Sequence, residues 1–293
     1  MFAVLWKITP RLAEWITSPS NPLWTQIPPS TSTVVELGCG ISGLLALSLG
    51  PWVGHYIATD QEYVYRLLRE NLEANRDLAY NNNKNAPSRT NKRGKKDGGG
   101  RTGQQKKRRD KSTSPGSSSG LNISFAALDW ELDDPGFLKE SVGITTSSST
   151  PDDDEDNNTN KEEDEQREEA EEEEEEDKGF DLLLSCDCVY NDALVTPFVR
   201  TCADICRLRP AYRPHHPDES ESNGRAAKSN KNKPPTICIV AQQQRVPDVF
   251  EAWLKEALKE FWVWRVRDEV LGDGLKGGTG YVVHLLLLRD SSV

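Results

Sequence analysis

The chain has 293 residues, with 36 Lys and Arg against 47 Asp and Glu, a formal net charge of −11, and a hydrophobic share of only 35%. That share lies below the usual globular range, but the deficit is local: residues 81–120 are rich in Asn, Lys, Arg, Gly and Ser, 141–178 in Ser, Asp and Glu, and 210–234 in Pro, Ser, Asn and Lys. The longest apolar stretches, 44–49 and 281–288, are too short to cross a bilayer, and Lys7 and Arg11 stand near the start without the apolar run of a secretory signal. Six cysteines without regular spacing make no disulfide framework, so a reduced compartment is expected, the cytoplasm or the nucleus, with no membrane association.

Charge is segregated along the chain. Residues 84–111 carry twelve Lys and Arg against two acids, and residues 152–177 carry eighteen Asp and Glu against two bases. Blocks of like charge repel and stay solvated. The three polar tracts are therefore expected to be disordered insertions in surface loops of one domain spanning 1–293, because loop closure costs grow slowly with length.

Between the tracts, strands and helices alternate. Residues 33–37 (TVVEL) predict a buried strand, 41–49 a short helix, 55–59 (HYIAT) a second strand and 62–75 a helix. Residues 122–127 (NISFAA) and 180–186 (FDLLLSC) predict the third and fourth strands, 192–207 a helix, 236–241 (TICIVA) the fifth strand and 246–261 a helix. Two strand-like runs, 262–270 and 280–288, close the chain around a Gly-rich turn at 272–278. Alternation implies a parallel sheet with helices on both faces. The last two strands lack a crossover helix and should pair as an antiparallel hairpin. The expected fold class is thus α/β and Rossmann-like, a mostly parallel seven-stranded sheet ending in an antiparallel hairpin.

The strongest local signal is GCGISG at 38–43, placed after a strand and before a helix. Glycines there make a tight turn and let a ligand approach backbone N–H groups. Asp60 ends the second strand seventeen residues after Gly43, where a carboxylate can accept hydrogen bonds from both ribose hydroxyls of an adenosine group. The competing structural reading is a plain turn, with Asp60 capping at Gln61. A nicotinamide dinucleotide and S-adenosyl-L-methionine both suit such a site. The C-terminal hairpin and Glu36, a carboxylate beside the glycine loop that can attract an ammonium or organise the loop, favour the methyl donor. Glu36 is otherwise a buried structural carboxylate.

Two further segments follow strands. Asp129 and Trp130 can accept the adenine amino hydrogens and pack on the ring, or be a helix cap and a core Trp. Asp187 and Tyr190, three residues apart, fit orienting and desolvating a substrate amine, or capping and packing. Ligands sit at the carboxyl ends of strands in open parallel sheets.

The segments VLW at 4–6, VVELGCGISG at 34–43, ATDQ at 58–61, LDW at 128–130, DCVY at 187–190 and AQQQRVPDVFEAWL at 241–254 occur in this order. Together they resemble the seven-β-strand protein-lysine methyltransferases of the methyltransferase-like-21 group, and more narrowly the fungal ribosomal lysine N-methyltransferase 5 family. The resemblance covers the chain outside the polar tracts. It implies a class I methyltransferase fold, with Trp6, Gly38, Gly40, Asp60 and Trp130 lining an S-adenosyl-L-methionine pocket and Cys186 beside it. Asp187 and Tyr190 would belong to the substrate-lysine channel. The implied acceptor is a lysine of a large-subunit ribosomal protein of the L1 type. Members of the family carry further sequence, including strands, ahead of the VLW segment.

No set of Cys and His has zinc spacing, so no metal is expected. The basic tract lacks interleaved aromatics, so nucleic acid would be held only nonspecifically, if at all. The protein is expected to be a monomer. The rival readings are a methyltransferase with another acceptor and an inert protein of the same fold that contacts the ribosome or RNA through its charged tracts.

Overall fold

A computed structural model describes residues 5–81, 122–144, 177–213 and 233–290. Seven strands form one sheet: β1 (Thr33–Leu37), β2 (His55–Asp60), β3 (Ile123–Ala127), β4 (Leu182–Cys186), β5 (Ile237–Gln243), β6 (Phe261–Arg265) and β7 (Tyr281–Leu288). Their order is β3-β2-β1-β4-β5-β7-β6. The first five are parallel to one another, and β7 runs antiparallel to both β5 and β6. This is the Rossmann-like α/β arrangement that the alternation predicts.

The central strands read as continuous apolar runs because both faces are covered. Every residue of β1 and of β4 is buried. One face packs Ile8, Leu12, Leu45, Leu49, Tyr56, Leu184 and Ile239 into a single cluster. The other packs Val35, Leu183, Phe198, Cys202, Trp253 and Phe261. The helices that supply these layers are α1 (Ile8–Ile16), α2 (Leu23–Gln26), α3 (Leu44–Leu49), α4 (Tyr65–Asn81), α5 (Leu138–Ser141), α6 (Val195–Arg207), α7 (Pro247–Glu260) and α8 (Asp268–Leu271).

Three differences from the sequence expectation have physical causes. Helices α1 and α2 were not foreseen, although Ile8, Leu12, Ala13 and Ile16 recur at helical spacing and are buried. Pro10 is compatible with that helix because it sits in the first turn, where no N–H partner is lost. The C-terminal hairpin forms, but its first strand ends at Arg265 rather than 270. Asp268 there accepts from Arg265 and from the Gly277 N–H, starting the short α8. Finally, β7 lies between β5 and β6: α7 carries the chain out to the edge, and the short return fills the gap.

The described residues reach into the ends of the polar tracts, whose central parts lie outside them. Val142 and Ile144 pack against the core. Arg209, 4% exposed at its side chain, is paired with Asp177 at 2.9 Å and Asp181 at 2.8 Å. Lys139 Nζ donates to the Asp177 carbonyl at 2.6 Å, and Asp181 accepts the Thr33 N–H at 2.7 Å. Burial alone would raise the Asp177 carboxyl, but the hydrogen bond and charge of Arg209 outweigh it and hold the group below its ordinary value. The ends of two tracts are therefore clamped to the amino ends of β1 and β4.

Removing Arg209 would strip the guanidinium from Asp181 and leave Asp177 to the more distant Lys139 and Lys233, at 3.8 Å and 3.6 Å. Arg209→Ala should cost about 3 kcal/mol, roughly 5–10 °C in melting temperature for a chain of this size. Differential scanning calorimetry checks this, and a shift under one degree would mean that the clamp contributes nothing.

Candidate functional site

Register fixes where the site falls. Leu37 pairs with Thr59 on one side and Ser185 on the other, and Cys186 pairs with Ala241. The strands therefore end level, and the segments after β1, β2, β3 and β4 meet at one edge of the sheet. A cavity of about 430 Å³ opens there, within the range of small-molecule sites. Its wall includes Trp6, Gly38, Gly40, Asp60, Asp129, Trp130, Cys186, Asp187 and Tyr190. Of the ten site residues expected from the sequence, these nine converge on the cavity, and Glu36 does not.

The loop after β1 turns through left-handed backbone at Gly38 (φ 67°), Gly40 (φ 62°) and Gly43 (φ 60°). A Cβ at Gly38 would meet Cys188 Sγ at 2.5 Å and the Trp130 ring at 3.4 Å. At Gly40 a Cβ would meet nothing within 4 Å. Gly38 is thus required by packing, whereas Gly40 leaves open space beside the cavity. Asp60 ties the loop down, its two oxygens accepting the N–H groups of Gly40 and Gln61, each at 2.8 Å. Burial raises the Asp60 carboxyl, and these two N–H bonds oppose the shift.

Glu36 is the buried structural carboxylate instead. It is 3% exposed and accepts from the Tyr56 hydroxyl at 2.7 Å, beneath the loop and away from the cavity wall. Its backbone carbonyl accepts the Thr59 hydroxyl at 2.7 Å. The residue thus ties the ends of β1 and β2 together and does not line the cavity.

Asp129 accepts from Gln61 Nε2 at 3.0 Å and from the Glu131 N–H at 2.8 Å. These two bonds, in that order, hold its carboxyl below the ordinary value. The Trp130 ring meets Phe198 edge-on, with centroids 5.2 Å apart. One face of the indole thus belongs to the core while its rim lines the cavity.

Asp187 reaches the expected place but not the expected state. It adopts a left-handed backbone at φ 63°, the non-glycine residue with positive φ among those described, a conformation that Asp tolerates better than most. Its carboxylate is already paired. Both oxygens are engaged by the Arg245 guanidinium, and Oδ1 also accepts the Gln243 N–H at 3.1 Å. The Asp187 side chain is 1% exposed. Arg245 in turn lies over the Trp6 ring, 4.6 Å from its centroid. Arg245 was not singled out from the sequence, although it lies in the 241–254 segment that carries the family resemblance.

Tyr190, 57% exposed, stands at the cavity mouth with Tyr63, 61% exposed. Burial raises the Tyr190 phenol, so it stays protonated at neutral pH. The thiols beside the cavity are likewise held protonated. Burial pushes Cys188 up to about 12 and Cys186 higher still. All six cysteines are unpaired and buried. No group of three or more potential metal ligands occurs among the described residues, and none of their helices is long and apolar enough to cross a membrane.

No protein-family model matches the chain. A protein of Zygosaccharomyces rouxii named ribosomal lysine N-methyltransferase 5 is 40% identical over 84 residues, covering 25% of this chain and 26% of that one. Its namesake in Candida glabrata is 31% identical over 97 residues, covering 26% and 28%. A Schizosaccharomyces pombe protein named diaminohydroxyphosphoribosylamino-pyrimidine deaminase is 40% identical over 75 residues, covering 25% of this chain and only 18% of its own length. The chain thus spans about a quarter of the length of these relatives, and over that part it is similar to fungal ribosomal lysine N-methyltransferase 5 proteins. Among solved structures, a SAM-dependent O-methyltransferase from Thermotoga maritima matches all of this chain and 69% of that one at 10% identity and TM-score 0.43. A methyltransferase from Pyrococcus furiosus matches 95% and 82% at 9% identity and TM-score 0.41.

The buried pair under the glycine loop makes a pH prediction. Burial comes first and raises the Glu36 carboxyl from 4.5 to about 7, the Tyr56 bond opposes it, and the Asp60 charge adds to it. The folded protein therefore keeps a proton that the unfolded chain has already released, and this residue's contribution to stability falls as pH rises from 4.5 to about 7. Glu36→Gln removes the titration. The stability of the variant relative to wild type should increase by about 3 kcal/mol between pH 4.5 and pH 8. Urea unfolding of both proteins at the two pH values measures this, and a constant difference would contradict the burial argument.

Proposed function

We propose that the chain is an S-adenosyl-L-methionine-dependent methyltransferase acting on a lysine of a protein, with a large-subunit ribosomal protein of the L1 type as the acceptor. The observation that carries this reading is the level ending of β1 and β2, which sets the open backbone at Gly40 against the Asp60 carboxylate at one cavity. The residues fit the cofactor. Asp60 would take the ribose hydroxyls, Asp129 the adenine amino group, and Trp6 and Trp130 the apolar surfaces. When bound, S-adenosyl-L-methionine supplies an electrophilic methyl group.

The protein's part is then to bring a neutral amine into line with that methyl. A lysine with an ordinary pKa near 10.4 needs about 4 kcal/mol to lose its proton at pH 7.4, and removal from water lowers that cost. Tyr190 and Tyr63 at the mouth supply the apolar surface. Around the cavity the phenol of Tyr190 and the thiols of Cys186 and Cys188 hold their protons, and Asp187 is already paired. Desolvation and alignment, not a strong base, therefore do the work. Asp187 acts as a positioning residue and Tyr190 as the wall of the lysine channel. A monomer working in the cytoplasm suits an acceptor of this kind.

A nucleic-acid acceptor and an inert protein of the same fold remain the rivals. Labelled S-adenosyl-L-methionine incubated with the protein and a fungal lysate separates them. The expected result is a labelled protein band whose label sits on lysine. Label in nucleic acid, or no transfer, overturns the reading. Independently, Asp60→Ala should remove charge-assisted hydrogen bonds worth roughly 3 kcal/mol, about a hundredfold in affinity for S-adenosylhomocysteine. Calorimetric titration tests this, and an unchanged dissociation constant would exclude Asp60 from the cofactor site.

A further inference from the structure

We infer that Arg245 is a positioning residue: locked by the buried Asp187, its guanidinium pins Trp6 as a wall of the cavity. This inference rests on the proposed cofactor site. It arises from four contacts that no single segment of sequence contains. The Asp187 carboxylate is held from below by the Gln243 N–H at 3.1 Å, and its own N–H donates to the Ala241 carbonyl at 2.8 Å. Both carboxylate oxygens meet the guanidinium of Arg245. The exposed remainder of that guanidinium, on a side chain 32% exposed, lies 4.6 Å from the centroid of the Trp6 ring.

Trp6 needs such an anchor. It precedes α1, is 42% exposed, and its backbone is tied locally by the Thr9 N–H donating to its carbonyl at 3.1 Å. An indole so exposed gains little from burial, so its ring direction depends on what it stacks against. Arginine suits this task because its planar fork can meet a carboxylate along one edge and an aromatic ring on one face. An incoming ammonium would have to replace a guanidinium that meets both carboxylate oxygens with a single point charge that lacks the matching fork. Arg245 therefore stays, and Asp187 acts on the cavity through Arg245 and Trp6. The Asp-x-x-Tyr segment and the N-terminal segment become one rigid rim, joined by a residue after β5.

The test uses the full chain labelled with 5-fluorotryptophan. Of its eight tryptophans, the one whose fluorine resonance vanishes in Trp6→Phe is Trp6. In Arg245→Ala, and in Arg245→Lys, which loses the fork, that resonance should shift while that of the buried Trp253 stays. In parallel, Trp6→Ala and Arg245→Ala should each weaken S-adenosylhomocysteine binding about tenfold, and the double variant should lose no more than either alone. If Arg245→Ala does not fold because Asp187 is left unpaired, the pair Asp187→Asn with Arg245→Ala serves in its place. An unmoved Trp6 resonance, or losses that multiply to about a hundredfold, would overturn the inference. If wild type fails to bind S-adenosylhomocysteine, the cofactor reading falls, and the fluorine resonance alone still decides whether Arg245 sets Trp6.

Discussion

A strand buried on both faces has no place along its length for a polar side chain that must meet a ligand, and in this protein that constraint governs the rest. The residues of β1 and β4 are buried throughout. Chemistry is therefore confined to where the chain leaves the sheet. Because β1, β2 and β4 end level, their exits converge, and the turns there adopt backbone conformations that few residues accept. Gly38 and Gly40 supply it after β1, and Asp187 supplies it after β4.

Each carboxylate at this edge has a specific answer to burial. Glu36 has a tyrosine hydroxyl, Asp60 two backbone N–H groups, and Asp187 a guanidinium and an N–H. The answers differ in what they leave available. Glu36 is sealed below the loop. Asp60 lines the cavity and retains lone pairs for further donors. Asp187 lines the cavity with its carboxylate already held by a guanidinium. Three acids that look alike in sequence thus become a structural pair, a cavity-lining acceptor and an anchor.

The legible parts of the site were those encoded locally. The glycine loop, the acid ending β2 and the residues after β3 and β4 follow from position relative to a strand, and a strand is recognisable from its own apolar run. Helix α1 carries a readable period, but its four buried apolar residues are interrupted by polar ones and a proline. The ends of the tracts were misjudged for another reason. Asp177 is the last acid of a long acidic run, and its contacts with Lys139, Lys233 and Arg209, 32 residues further on, set it apart.

The sequence by itself determined the strands, their parallel pairing through crossover helices, the final hairpin and the edge at which the cavity opens, since each depends on hydrophobic period and connection length. Only the tertiary structure decided which carboxylate faces the cavity, that β7 lies between β5 and β6, and that Arg245 stands between Asp187 and Trp6. Asp187 and Arg245 are separated by 58 residues, and Trp6 lies near the other end of the chain. A hydrogen bond or ring contact across such a span leaves no periodic trace in either segment, because its geometry exists only once the sheet has brought the strand ends together.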